Sequence, residues 1–367
     1  MWGEYLSNVH ELLPFEKALV GRRILVTGHT GFTGGWVCRW LQHIGAVVTG
    51  FSLPPETEPS LFDVLGLAKD VPTVFGDIVD HPALFAAIQD TEPELILHLA
   101  AQPLVRQSYL DPVRTFDVNV QGTVNLLDAA RKTRSVRAVL CITTDKVYHN
   151  NEWLWPCRET DRLGGKDPYS ASKAAAELVV QSFSSSFPAA GGIGPAIATA
   201  RGGNIIGGGD WSPDRLIPDF VRALTSDIPL TLRFPDAIRP WQHVLALAQG
   251  YLMLLAGLAS DDPLFFARAW NLGPADGRRF SVRDVLELMC QHWGRRPELR
   301  YMDDPLPESK LLALDSTNAR ELLGWHPAWE TERVVAETAR WYRQFYEDPP
   351  SALRMTLQQI ESWRADI

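Results

Sequence analysis

Between residues 22 and 200 the chain alternates short β-branched runs with helical patterns, and this alternation limits the fold more than any other feature. Residues 22–27, 46–51, 73–76, 94–100, 137–143 and 196–200 read as strands. Helical patterns lie at 34–44, 81–90, 112–132 and 169–187. Strands separated by helices cannot pair as tight hairpins, so they are expected to form a parallel sheet with helices on both faces. After residue 201 Gly, Pro and Trp become frequent, and helical patterns return at 216–225, 244–259, 281–293 and 332–346. The tail beyond Pro350 is expected to be a short peripheral helix.

Charge and composition exclude several functions. The net charge is −9 and no run of Lys or Arg occurs, which argues against nucleic acid as a partner. No apolar stretch is long enough to span a bilayer. The first residues lack the basic and apolar regions of a signal peptide, so a cytoplasmic setting is expected. The four cysteines show no C-x-x-C spacing, which suggests neither a metal site nor a disulfide framework. Cys38 and Cys141 lie in apolar runs and are expected to pack there.

The first strand ends in Gly28-His29-Thr30-Gly31-Phe32-Thr33-Gly34 and leads into a helix. Glycines at 28, 31 and 34 let a dinucleotide pyrophosphate approach the backbone, and the first-turn N–H groups of the helix then face its phosphates. In a Rossmann-type, doubly wound α/β sheet such ligands lie at the carboxyl ends of the strands. Asp77 and Ile78 are placed to meet adenine, and Leu99, Ala100 and Ala101 to line the cofactor path, together with Phe32 and Thr33. His98 is expected to be a packed strand residue. The end of the second strand, Gly50-Phe51-Ser52-Leu53, offers neither a carboxylate for ribose hydroxyls nor a cation for a 2′-phosphate. NAD is favoured over NADP, with weak retention. The expected organisation is a dinucleotide-binding domain over 20–200, rejoined by 244–270. A smaller C-terminal substrate-binding lobe is expected from 201–243 and 271–350.

Tyr169-Ser170-Ala171-Ser172-Lys173 puts a phenol and an ammonium on one helix face. A free phenol ionises near pH ~10, and a nearby cation should lower that value and make the tyrosine a base. The glycine loop, NVQGT at 119–123 and YSASK at 169–173 together resemble the extended short-chain dehydrogenase/reductase family, from about residue 20 to 345. That resemblance implies NAD, a nucleotide-sugar substrate and dimers formed through the helices at 112–132 and 169–187.

Within that family, Thr144 matches the residue that hydrogen-bonds the reacting hydroxyl, although Thr143 simply ends the strand. Asp145 matches the acid of the sugar-nucleotide 4,6-dehydratases. Asp145-Lys146 is similar to the branch acting on CDP-glucose, as are GHTGFTGGW (28–36), AAQPLVRQSY (100–109), RGGNIIGGGDWSPDRLIPD (201–219) and IRPWQHVL (238–245). The implied catalytic set is Thr144, Asp145, Lys146, Tyr169 and Lys173. Lys146 serves either as C5 base or as enolate stabiliser, with Glu159 the base in the second case. Arg201, Arg215, Arg239, Asn204 and Asn271 are the expected substrate contacts, while Trp211 and Trp241 are expected to pack.

Overall fold

The computed structural model describes residues 11–189, 192–274, 279–302 and 311–367. Residues 1–10, part of the segment read as lacking a signal peptide, lie outside the described residues.

The six expected strands form: β1 (Arg23–Thr27), β2 (Val47–Ser52), β3 (Thr73–Phe75), β4 (Leu95–His98), β5 (Ala138–Ile142) and β6 (Ala196–Gly202). A seventh strand, Ala269–Leu272, was not expected. It lies at 269–272, beyond the strand–helix alternation over 22–200 that reveals the other six. All seven pair in parallel, in the order seventh–β6–β5–β4–β1–β2–β3. The order reverses between β1 and β4. There the loops leaving the two strands part and open a crevice.

Side-chain alternation explains why both faces are covered. Ile24 and Val26 of β1, Leu95 and Leu97 of β4, and Ala138 and Leu140 of β5 join the larger core cluster. Leu25, Ile96, Val139 and Cys141, the intervening residues, join the smaller one. The apolar Val244–Leu258 helix is buried in the larger cluster, as are Trp211 and Trp241. Cys38 and Cys141 are buried as expected.

The part of the chain after β6 carries the helices Leu216–Thr225 and Val282–Trp293, whose apolar residues join the larger core cluster. It also holds two short strand pairs, Leu230–Leu232 with Leu299–Tyr301 and Ile238–Arg239 with Phe280–Ser281. The helix expected over 112–132 is interrupted by a π turn at Asp117–Gln121.

The tail corrects the sequence reading. Ala352–Asp366 is a helix of 15 residues, and it is part of the core rather than peripheral. Ile360 and Trp363 are fully buried. Arg364 forms a buried ion pair with Glu16, at 2.8 and 2.9 Å, and Trp40 Nε1 donates to the same carboxylate at 2.7 Å. The sequence spacing could not show the Arg364–Glu16 pair, because the two residues lie more than three hundred positions apart.

Candidate active site

A cleft of ≈ 1050 Å³ opens at the β1/β4 switch point and runs along residues 202–219 and 230–234. This is at the upper end of small-molecule sites, which suits two ligands side by side. The glycine loop forms one wall. Gly28 adopts φ +72°, and a Cβ there would lie 2.7 Å from the Ala100 nitrogen. A Cβ at Gly34 would lie 2.4 Å from the Gly28 carbonyl oxygen. The protein's own packing therefore requires both glycines. Gly31 differs: a Cβ there would meet only the Gly28 oxygen, at 3.4 Å, and otherwise project into open space. That space is the cleft, and glycine at 31 leaves it open to a ligand's phosphates. Gly31 caps the Phe32–His43 helix with no side chain, so the first-turn N–H groups of Phe32, Thr33 and Gly34 face the cleft.

Asp77, Ile78, Leu99, Ala100 and Ala101 all line this part of the cleft. Asp77 is held by Arg114 at 2.5 Å. Ser52, at the end of β2, bonds Thr30 at 2.8 Å. No carboxylate stands directly after β2, as read, but Glu56 lines the same wall a few residues further on. His98 packs as expected, between Thr27 at 2.8 Å and Thr123 at 3.3 Å. The cradle fits a nicotinamide dinucleotide.

The Pro168–Ser186 helix begins at Asp167, whose carboxylate accepts from the Ser170 N–H at 2.9 Å. This cap fixes the helix start, and Tyr169 and Lys173 point together into the cleft. The electrostatics differ from expectation. Burial pushes the Tyr169 phenol up, against Lys146, a hydrogen bond from Thr144 and Arg215, which pull it down. Lys173 is buried, donates to the Ile142 carbonyl at 3.1 Å, and is pulled down to about 8 by desolvation. The cation acting most on the phenol is Lys146, not Lys173.

Thr144 and Lys146 line the cleft beside Tyr169. Asp145 lies between them, fully buried. Its Oδ1 accepts from Thr144 Oγ1 at 2.9 Å and from Lys146 Nζ at 3.2 Å.

Three expected contacts lie elsewhere. Glu159 does not line the cleft; it accepts from the Asn271 N–H at 2.9 Å and from Asn318 at 3.0 Å. Asn271 is in the edge strand, fully buried, bonded to Tyr148, Cys157 and Asp315, and does not reach ligand space. Arg201 is also buried, paired with Glu177 at 2.7 Å and bonded to Tyr148 at 2.8 Å. Burial opposes its charge, but the Glu177 carboxylate overcomes this and holds it above its usual value. These polar groups were read as ligand contacts because a sequence does not show which protein groups already satisfy them.

Sequence reading missed Glu177. It lies on the Tyr169–Lys173 helix face at the same four-residue spacing and accepts from Thr143, Thr199 and Arg201. That spacing was the available signal.

Asn204, Arg215 and Arg239 do line the cleft. Arg215 pairs with Asp210 at 3.0 Å, and Arg239 donates to the Ile238 carbonyl at 2.9 Å. Arg106 and Arg233, which were not singled out, share Asp214 on the same wall, at 3.6 and 2.8 Å. Among the described residues, no group of His, Cys, Asp and Glu could hold a metal ion.

The family model for GDP-mannose 4,6 dehydratase matches residues 25–338. The chain belongs to that family. Among relatives of this dehydratase family, it is 41% identical over 329 residues to the CDP-glucose 4,6-dehydratase of Salmonella typhimurium, covering 88% of this chain and 91% of that one. To the dTDP-glucose 4,6-dehydratase 1 of Escherichia coli it is 28% identical, covering 87% and 92%. Its fold matches the crystal structure of a dTDP-glucose 4,6-dehydratase from Streptomyces venezuelae with NAD and TYD bound. That match has TM-score 0.76 at 25% identity, covering 89% of this chain and 99% of that one. The UDP-glucose 4-epimerase of Thermus thermophilus, a complex with NAD, matches with TM-score 0.76 at 24% identity, covering 88% and 99%.

Proposed function

We propose that the protein is an NAD-dependent dehydratase that converts CDP-glucose to CDP-4-dehydro-6-deoxyglucose. The observation that carries this is the convergence of Thr144, Lys146, Tyr169 and Lys173 on one cleft that also contains the glycine cradle. The 41% identity to the Salmonella enzyme supports cytidine as the nucleotide. Bound NAD supplies a reversible hydride acceptor.

The cradle of Gly28, Gly31 and the first turn after it holds the cofactor's phosphates. Tyr169 and Thr144 meet the sugar at O4 and manage its proton during oxidation. The ketone at C4 then makes the C5 proton acidic, and Lys146 serves that side of the sugar. Asp145 protonates the departing O6, without which hydroxide is a poor leaving group. Arg215, Arg239 and Asn204 lie where the nucleotide diphosphate and sugar extend toward the smaller lobe, and an arginine can hold a phosphate bidentately.

The same reading includes a cytoplasmic homodimer. Val113, Phe116 and Leu178 are exposed on the helices expected to form the seam.

The test is turnover with CDP-, dTDP- and UDP-glucose in the presence of NAD. CDP-glucose should give the 4-keto-6-deoxy product with the other two poor substrates. Equal conversion of all three rejects the cytidine assignment, and a C4 epimer without ketone rejects dehydration.

A further inference from the structure

The apolar helix Val244–Leu258 carries one polar ring that packing does not account for. Tyr251 is fully buried, and among the described residues its hydroxyl has no hydrogen-bond partner. A buried phenol ordinarily finds a partner for its O–H, because a donor enclosed without one has lost its hydration uncompensated. Other buried side-chain atoms in this condition, such as His243 Nε2 and Gln242 Oε1, belong to residues that do not line the cleft. Among the described residues, Tyr251 alone both lines the cleft and holds such an atom. A bound molecule can therefore reach it.

The course of the helix shows which part of the cleft this is. The helix starts directly after Gln242–His243, which pair with the cleft-lining Ile205–Ile206. At that start Val244 and Phe32 would both crowd a Cβ at Gly207, at 2.9 and 3.2 Å. Phe32 opens the helix whose first turn forms the phosphate cradle. One turn further along, Leu247 lies against the end of β6, 2.6 Å from where a Cβ at Gly202 would stand. Tyr251 follows Leu247 by four residues and shares its face. Helical side chains lean toward the N-terminus of their helix, so the phenol is aimed back toward the cleft. It stands on the side of the floor that the cradle helix borders. Burial, with the Tyr169 phenol adding to it, holds the Tyr251 proton in place, so this hydroxyl is a donor in need of an acceptor.

Resting on the reading of the cleft as a site for NAD beside a nucleotide sugar, we propose that Tyr251 donates a hydrogen bond to the carboxamide oxygen of the nicotinamide and so fixes the orientation of that ring. The nicotinamide ring has one hydrogen-bonding group, its carboxamide, and the carboxamide oxygen accepts. The glycine cradle holds the phosphates but cannot set the rotation of the ring about its bond to ribose, which would offer either face to the sugar. A donor fixed in the floor favours the one rotation that brings the carboxamide to it. In a dehydratase this matters twice, because the hydride taken from C4 has to be returned to C6 of the same sugar. Tyr251 keeps one face turned to the sugar while water leaves. Its hydroxyl stays unpaired in the empty protein and is satisfied only when the cofactor binds.

The test compares the full-length protein with Tyr251→Phe, which removes the hydroxyl and keeps the ring in the core. Without ligand the variant should melt at or above the wild-type temperature, because no partner within the protein is lost. By calorimetry it should bind NAD about two- to tenfold more weakly, the usual contribution of one neutral hydrogen bond. ADP-ribose has the phosphates and riboses but no nicotinamide, and it should bind both proteins equally. The acetylpyridine analogue of NAD keeps the carbonyl oxygen and lacks the amide nitrogen, so the variant should weaken it as much as NAD. KM for CDP-glucose at saturating NAD should not change. A ligand-free variant that melts clearly below the wild type would show that the hydroxyl already has a partner in the protein. Equal NAD affinity in the two proteins, or equal weakening of NAD and ADP-ribose, would place its acceptor elsewhere, as would an acetylpyridine analogue that binds both alike. So would a raised KM for CDP-glucose with unaltered NAD affinity. Each of these results overturns the assignment of Tyr251 alone. A wild type that binds neither NAD nor ADP-ribose rejects the cofactor reading, and this inference with it.

Discussion

Lys173 is buried at the edge of the cleft, where burial works against its charge and the Cys141 thiol and Glu177 favour the proton. A lysine in water keeps its proton to about pH 10.4. Here it is lost as pH rises through about 8. If the ammonium is needed beside Tyr169, kcat/KM should fall on the basic side near that pH, and Lys173→Arg should move the limb to higher pH. A profile flat through the alkaline range would assign Lys173 no charged role. Tyr169→Phe removes the oxygen proposed to meet O4. It should abolish ketone formation while NAD still binds, by fluorescence titration, because the phenol is not part of the glycine cradle. At this scale the sequence was legible wherever spacing alone sets geometry, as in Gly28, Gly31 and Gly34 or Tyr169 and Lys173. It misled at Asn271, Arg201 and Glu159. Their side chains are satisfied by Tyr148, Glu177 and Asn318, which come from distant parts of the chain.

The element that aims the chemistry is the Pro168–Ser186 helix, which is anchored at two levels. Asn119, in the π turn, donates to Ser172 at 2.8 Å. Two turns beyond Tyr169, Glu177 ties the helix to β6 through Arg201 and Thr199, and to the end of β5 through Thr143. Both members of the Glu177–Arg201 pair are 1% exposed. Removing one charge strands the other in the interior, which costs about 3–5 kcal/mol. Glu177→Gln should therefore lower the denaturant midpoint strongly. Glu177→Gln combined with Arg201→Met should recover much of that loss, because no uncompensated charge remains. A single variant of wild-type stability would show that the pair does not anchor the helix. The period of the helix was readable from sequence, but the π turn was not. It widens the backbone hydrogen-bonding pattern over Asp117–Gln121, and no residue type in that stretch marks the change.

At the scale of the whole molecule, the first described helix and the last are joined through the core. The Glu16 carboxylate accepts from Arg364 at one end of the chain and from Trp40, on the helix that follows the glycine loop. Trp363 donates to Gln249 in the Val244–Leu258 helix, and Trp329 to Asp366. The tail thus packs behind the helix whose first turn forms the phosphate cradle, on the larger core cluster. A peripheral helix could be removed at little cost, whereas this one cannot. Among the described residues, Arg364→Met leaves Glu16 and its charge buried with only the Trp40 donor and the Leu13 N–H. By the arithmetic of a broken buried pair it should cost about 3–5 kcal/mol. Glu16→Gln together with Arg364→Met should be milder than Arg364→Met alone, since the stranded charge is gone. The coupling to function follows from the position of Trp40 on the Phe32–His43 helix. Loosening its far end should weaken NAD binding more than it changes kcat at saturating NAD. A calorimetric NAD titration of Arg364→Met beside its thermal melt separates the two effects. Unaltered stability would return the tail to the peripheral role its sequence suggested, and altered stability with unaltered NAD affinity would confine its role to the core.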